Sequence, residues 1–250
     1  MKARRRGAAQ PAAAAAAGVG AAAAAWSVPA LAPVAPAVAG RLGIPRRSAI
    51  PGTVALTFDD GPHAQGTPAV LAALADARVQ ATFFLVGEQV LRTPALAAEI
   101  VAAGHSVAVH CHRHRNLLRL PPRAVAADLD RAAALIGDAT GTAPGLHRAP
   151  YGVYSWSALR AVHARGWTPV LWSRWGRDWR RRATGASVAA EVADGVRAGD
   201  ILLLHDADHY SAAGSWRATA AALPRVLEAI AQADLHVAPV AAAGDLLHGR

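Results

Sequence analysis

Beyond residue 52 the chain alternates between short apolar runs and longer stretches in which apolar residues recur at helical spacing. The short runs predict strands at Thr53–Phe58, Ala81–Val86, Ser106–Val109, Gly145–Arg148, Thr168–Trp172, Ile201–Leu204 and His236–Pro239. The amphipathic stretches predict helices at Pro68–Ala77, Pro94–Ala103, Pro122–Ile136, Ser155–Arg165, Ser187–Arg197 and Ser215–Gln232. Proline stands at or near the first turn of several of them, where its missing N–H costs nothing. Seven strands separated by six helices read as successive βα units, hence a parallel sheet, open or closed into a barrel.

The first 52 residues follow another pattern. Met1–Arg6 is short and basic, and no charged residue occurs from Gly7 to Gly40. Residues 1–40 are rich in alanine and proline and offer Ala37-Val38-Ala39 as a small-x-small cleavage pattern. A signal peptide or a membrane anchor is expected, which would export the protein or hold it on the membrane, facing the cell envelope. A disordered leader on a cytoplasmic protein is the alternative, because Pro29, Pro33 and Pro36 interrupt any helix running past Val28. Arg41–Gly52 reads as a linker, leaving residues 53–250 as one domain.

Composition narrows the class. The chain is 53% hydrophobic, enough for a substantial core. A net charge of +9 would suit a nucleic-acid partner, but the excess is uneven. Residues 1–52 carry +7 and no acid, whereas the remainder sets 19 arginines against 17 acids. A nucleic-acid-binding domain needs a basic face of its own, so no nucleic-acid partner is expected. The single cysteine, Cys111, excludes an intramolecular disulfide framework and a cysteine-based zinc knuckle.

Parallel α/β folds collect reactive groups where strands end and βα loops begin. Here the polar residues fall at those ends. The first strand runs into Asp59-Asp60-Gly61-Pro62, and the third ends at His110 with His112 and His114 beyond. The fourth ends in His147-Arg148-Ala149-Pro150-Tyr151, the fifth leads into Asp178-Trp179, and the sixth ends at His205-Asp206. Adjacent carboxylates repel unless a cation compensates them. Histidines four apart on a helical turn would point the same way. Two imidazoles and a carboxylate suit a divalent metal with open positions for water. Taken singly, each feature has an ordinary structural reading, as a solvated turn, an exposed loop or a core histidine.

Together the motifs are more specific. Thr57-Phe58-Asp59-Asp60-Gly61-Pro62 resembles the first motif of the polysaccharide deacetylase family, also called the NodB homology domain or carbohydrate esterase family 4. Gly104 through His114 resembles the second, Arg148-Ala149-Pro150-Tyr151-Gly152 the third, Asp178-Trp179 the fourth and Leu203-Leu204-His205 the fifth. The resemblance implies a distorted (β/α)7 barrel following an N-terminal Ala/Pro-rich extension. It implies a metal held by Asp60, His110 and His114, with zinc expected and cobalt or nickel as alternatives. Asp59 would be the general base with Arg148 holding it, and His205 the general acid oriented by Asp178. The backbone N–H of Tyr151 would stabilise the oxyanion, while Trp179 and Leu203 shape a pocket for the acetyl methyl. Trp175, expected in a loop beside the site, would offer a stacking surface for sugar. The sequence departs from the family at Cys111 (usually Ser or Thr), Arg115 (often Pro or Ser), Ala149 (commonly Pro) and Trp175 (often an acid).

The activity so implied is removal of acetyl groups from an N-acetylated glycan such as peptidoglycan or a chitin-like oligomer. An amidase on a non-sugar N-acyl substrate and a catalytically silent glycan-binding module are the alternatives. The third requires loss of a key group, yet Asp59, Asp60, His110, His114 and His205 are all present.

Overall fold

The structure, a computed structural model, describes residues 25–241. Its frame is one parallel sheet of eight strands, β1 (Thr53–Asp59), β2 (Thr82–Leu85), β3 (Ser106–Val109), β4 (Leu146–His147), β5 (Thr168–Pro169), β6 (Arg174–Trp175), β7 (Ile201–His205) and β8 (His236–Val237). The order is β5-β4-β3-β2-β1-β7-β6, so β1 to β7 succeed one another around a seven-membered ring broken only between β5 and β6. That is the distorted (β/α)7 barrel expected. β1 is buried along its whole length, as a central parallel strand covered on both faces should be. Helices Gly66–Asp76, Pro94–Ala102, Pro122–Thr140, Trp156–Ala164, Gly185–Ala193 and Trp216–Gln232 pack outside it.

Two strand assignments need correction. The sixth stave is Arg174–Trp175, within a stretch expected to be loop, and so Asp178 follows the sixth strand and His205 ends the seventh. β8 lies outside the ring and pairs only with Thr53 and Val54, the first residues of β1. Trp175 is therefore strand, half-buried between Trp172 and Trp179 at 5.8 and 5.7 Å, rather than a free loop residue.

The expected linker is also corrected. Short helices at Val28–Leu31 and Pro36–Arg41 lead into an extended segment that lies over the break in the ring. There Leu171 N–H donates to the Pro45 carbonyl at 2.9 Å, and Arg46 Nε donates to the Trp172 carbonyl at 3.0 Å. Those seam groups have no neighbouring strand to pair with, and buried backbone polar groups must find partners. Within this N-terminal stretch Pro29, Ala32, Ala39 and Ile44 are themselves buried. The folded domain thus begins well before Thr53, and Ala37-Val38-Ala39 lies inside it. Residues 1–24 of the expected signal or anchor lie outside the described residues. Among the described residues no helix is long and apolar enough to cross a membrane.

Candidate metal and catalytic site

At the carboxyl ends of the strands a cavity of about 290 Å³ opens between Asp59, Asp60, His110 and His114 on one side and Trp172, Trp175, Trp179 and Leu203 on the other. Tyr151, His205 and Tyr210 complete its walls. Of the residues expected to bind metal, substrate or a proton in transit, all but Arg148 and Asp178 line it, and those two lie directly behind.

The chain makes its sharp turns here. Asp60, Cys111, Tyr151 and Arg177 all adopt left-handed backbone conformations, with φ of 77°, 66°, 59° and 48°. Such conformations are costly for residues with a side chain and tend to mark functional sites. The turn at Cys111 corrects another expectation: a left-handed kink rather than a helical turn brings His110 and His114 together. Gly61 is required for a different reason. A Cβ there would come within 2.5 Å of the buried Asp206 carboxylate, which also accepts from Thr67.

Asp60 Oδ1 stands 3.4 Å from His110 Nε2 and 3.3 Å from His114 Nε2. It is buried and lacks a hydrogen-bond partner. Burial pushes the Asp60 carboxyl up, but the His110 contact and the neighbouring imidazoles outweigh it, leaving the pKa at about 2. Burial also lowers His114, to about 4 against the pull of Asp60, so that ring is neutral near pH 7. His110 Nδ1 lies 2.8 Å from the Arg148 carbonyl and must donate to it, which turns Nε2 toward Asp60. The Asp60 carboxylate and the Nε2 atoms of His110 and His114 thus converge on a single point, an arrangement that a divalent cation satisfies.

Asp59 is held differently. Arg148, fully buried, donates to Asp59 Oδ1 at 2.7 Å and to Thr57 Oγ1 at 2.9 Å. Its guanidinium lies 4.0 Å from the centre of the Phe84 ring. Asp59 Oδ2 remains on the metal side, 3.8 Å from His110 Nε2. Across the cavity, Asp178 accepts from the His205 backbone N–H and from Thr219 Oγ1, at 2.7 and 2.6 Å. Its other oxygen lies 2.8 Å from His205 Nδ1. Burial alone would favour a neutral His205, but Asp178, with Asp60 and Asp59 beyond, raises its pKa to about 10. The imidazolium aims Nε2 toward the cavity, 4.0 Å from Asp60 Oδ2.

The sequence departures are compensated nearby. Cys111 packs its thiol against His147 at 3.5 Å, and burial, with Asp128 nearby, pushes that thiol's pKa up. The loop is steadied instead by Asp128, which accepts from His112 N–H and from Arg115, both at 2.7 Å. Arg115 is thus a staple in its own right. Sequence reasoning missed Asp128, Tyr210 and Glu88. Asp128 had a visible signal, an acid on the buried face of Pro122–Thr140 between Val125 and Leu129. Trp172 is core and cavity wall at once.

Comparison with known proteins agrees with this geometry. The polysaccharide deacetylase family matches residues 46–170, which takes in the first three motifs and stops before Asp178 and His205. The chitooligosaccharide deacetylase of Sinorhizobium fredii is 42% identical over 164 residues, covering 65% of this chain and 76% of that protein. The peptidoglycan-N-acetylglucosamine deacetylase PgdA of Listeria monocytogenes is 34% identical over 64% of this chain, but only over 34% of its own length. Among solved structures, a family 4 acetyl xylan esterase from Clostridium thermocellum in complex with a cobalt ion superposes with a TM-score of 0.68 at 29% identity. The superposition covers 75% of this chain and 87% of that one. With two fifths of its aligned residues shared with a catalogued deacetylase and the family's motifs gathered round one cavity, this chain belongs to the polysaccharide deacetylase family and is a hydrolase of that kind.

Proposed function

We propose that the protein hydrolyses the N-acetyl amide of an N-acetylated glycan, peptidoglycan or a chitin-like oligomer, and that it depends on a divalent metal for doing so. The observation that carries the reading is the unpartnered, buried Asp60 Oδ1 facing two imidazole nitrogens at 3.3 and 3.4 Å. Asp60, His110 and His114 hold the ion, zinc by donor chemistry, with cobalt or nickel accepted by the same set. Bound there, the cation lowers the pKa of water and polarises the acetyl carbonyl.

The remaining steps belong to the chain's own side chains. Asp59, with Oδ1 occupied by Arg148, keeps Oδ2 free to take the attacking water's proton. The Tyr151 N–H donates to the oxygen that becomes anionic as the water oxygen bonds to the carbonyl carbon. His205 gives its Nε2 proton to the departing nitrogen as the carbon–nitrogen bond breaks, releasing acetate and an amine. Asp178 holds that proton donor in place. Leu203, Trp172 and Trp179 make a dry wall for the methyl group, and Trp175 offers a face to the sugar. A protonated His205 supplies the proton that an amine needs in order to leave.

The full-length protein should release acetate from chitooligosaccharides, and chelation or Asp59→Asn should each abolish the release. Release that survives both treatments would remove the mechanism. Release from simple N-acyl amino acids instead would favour the non-sugar amidase. Export or membrane anchoring through the N-terminal segment belongs to the same proposal. Mass spectrometry of the mature N-terminus tests it, and because Ala32 and Ala39 are buried in the domain, a cut upstream of them is expected.

A further inference from the structure

His110 and His114 both offer Nε2 to Asp60, yet only one ring is oriented by a hydrogen bond. His110 uses its second nitrogen on the Arg148 carbonyl at 2.8 Å. His114 Nδ1 is buried and has no hydrogen-bond partner among the described residues. Metal-ligating imidazoles ordinarily rely on that second nitrogen to fix the ring's direction and tautomer. His114 is held by rings instead. Tyr210 lies parallel to it, centroids 4.3 Å apart and planes 11° from parallel, while Tyr151 meets it edge-on at 4.5 Å.

Tyr210 is itself fixed at its far end. Its hydroxyl donates to Glu88 Oε1 at 2.6 Å and accepts from Gln89 Nε2 at 2.9 Å. Glu88 and Gln89 belong to the helix Gly87–Arg92. The N–H groups of Gly87 and Glu88 donate to the carbonyls of Cys111 and His112, both at 2.9 Å. The contacts close a circuit from the histidine loop through this helix to Tyr210 and back to His114.

We propose that Tyr210 is a positioning residue for His114, its stacked ring replacing the hydrogen bond that the second nitrogen does not make. The inference rests on the metal site proposed above. Ligation draws electron density out of an imidazole, and a phenol that donates to a carboxylate presents an electron-rich face to it, so the stack strengthens when the metal binds. Tyr210 also lines the cavity, on the segment between β7 and the helix Trp216–Gln232. Metal binding and the order of that wall are thereby coupled.

The test is a titration of the metal-free full-length protein with Co²⁺ against a chelator of known affinity, read by visible absorption. The wild type should take up one equivalent. Tyr210→Leu should bind about 10-fold more weakly, the effect usual for losing a partner that orients a ligand. Tyr210→Phe keeps the ring, loses the Glu88 and Gln89 hydrogen bonds, and should recover most of the affinity. If Tyr210→Leu does not fold, Tyr210→Met, similar in bulk but without a ring, takes its place. Affinity within twofold of wild type in the ring-less variant would overturn the positioning role alone. A wild type that takes up no Co²⁺ would overturn the metal site beneath it.

Discussion

Asp60, His110 and His114 form one group of a carboxylate and two imidazoles; His63, Asp208 and His209 form a second on adjoining loops, with ligand atoms likewise within 4.8 Å of one another. The residue types are identical and the proximity is the same, but the protons sit in opposite places. His110 donates from Nδ1 to the Arg148 carbonyl, and its Nε2 faces Asp60. His63 Nδ1 accepts from the Gly66 and Gln65 backbone N–H groups at 2.9 and 3.2 Å, so its proton must be on Nε2. That Nε2–H points at Asp208 Oδ1, 3.1 Å away. Asp208 Oδ2 accepts from Gly214 N–H at 2.5 Å, and His209 Nε2 leans on the Pro62 carbonyl at 3.4 Å. Both ring nitrogens of His63 and both carboxylate oxygens of Asp208 are thus engaged. The first group leaves one buried carboxylate oxygen without a partner. What separates the two groups is how the backbone engages Nδ1 of the leading histidine, which donates in His110 and accepts in His63.

The most severe way to break this contrast is Asp60→Ala. Activity should fall on the order of 10³-fold or more, as when a group central to electrostatic catalysis is lost. Metal uptake, measured by equilibrium dialysis, should fall from one equivalent to none. One equivalent still bound by the Asp60→Ala protein would mean that the His63 group is a metal site after all.

A carboxylate facing an imidazole also occurs at Asp178–His205, and there the outcome differs again. Burial lowers the His63 pKa, and although Asp208 pulls it up, His209 and Arg217 push it down. His205 has three carboxylates around it and reaches about 10. A raised pKa keeps the proton on His205 until the pH passes that value, so its loss should lower kcat on the alkaline side. Asp178→Asn removes the largest upward pull and should move that alkaline limb to lower pH, with kcat down about 10²-fold near neutrality, a typical general-acid contribution. An alkaline limb that stays where it was would assign the proton transfer to another group.

How much of this was readable in advance depended on whether the cause was local. β1 and β3 announce themselves by their apolar runs, and the residues at their ends by the turn that must follow. The third strand, Ser106–Val109, came out at its expected bounds. Arg174–Trp175 was not readable as a strand because two residues carry no period; its pairing with Leu202 and Leu203 makes it one. The segment before Thr53 looked like a tether because alanine is weakly apolar. Its burial is imposed by the open seam between β5 and β6, a feature of topology rather than of the segment itself. Tyr210 lies 96 positions from His114 in the chain, and nothing in the sequence near either residue points to the other. The motifs gave the proposed ligands; the ring that packs on His114 came only with the fold.

The gentlest test acts on the second group. His63 Nδ1 takes the N–H groups of Gln65 and Gly66 where the helix Gly66–Asp76 begins, groups that have no partner within the helix, while its own backbone N–H donates to Thr67 Oγ1 at 2.8 Å. Its role on this account is that of a cap. His63→Ala should therefore cost about 1 kcal/mol of stability, as lost caps do. In a chain of this size that lowers the melting temperature by roughly 2–4 °C. His63→Asn can still accept those N–H groups and should recover part of the loss. Co²⁺ stoichiometry and affinity should be the same in both variants as in the wild type. A drop in stoichiometry with His63→Ala, at unchanged affinity of the remaining ion, would contradict the tautomer inferred from those two backbone donors, and with it the distinction between the two groups.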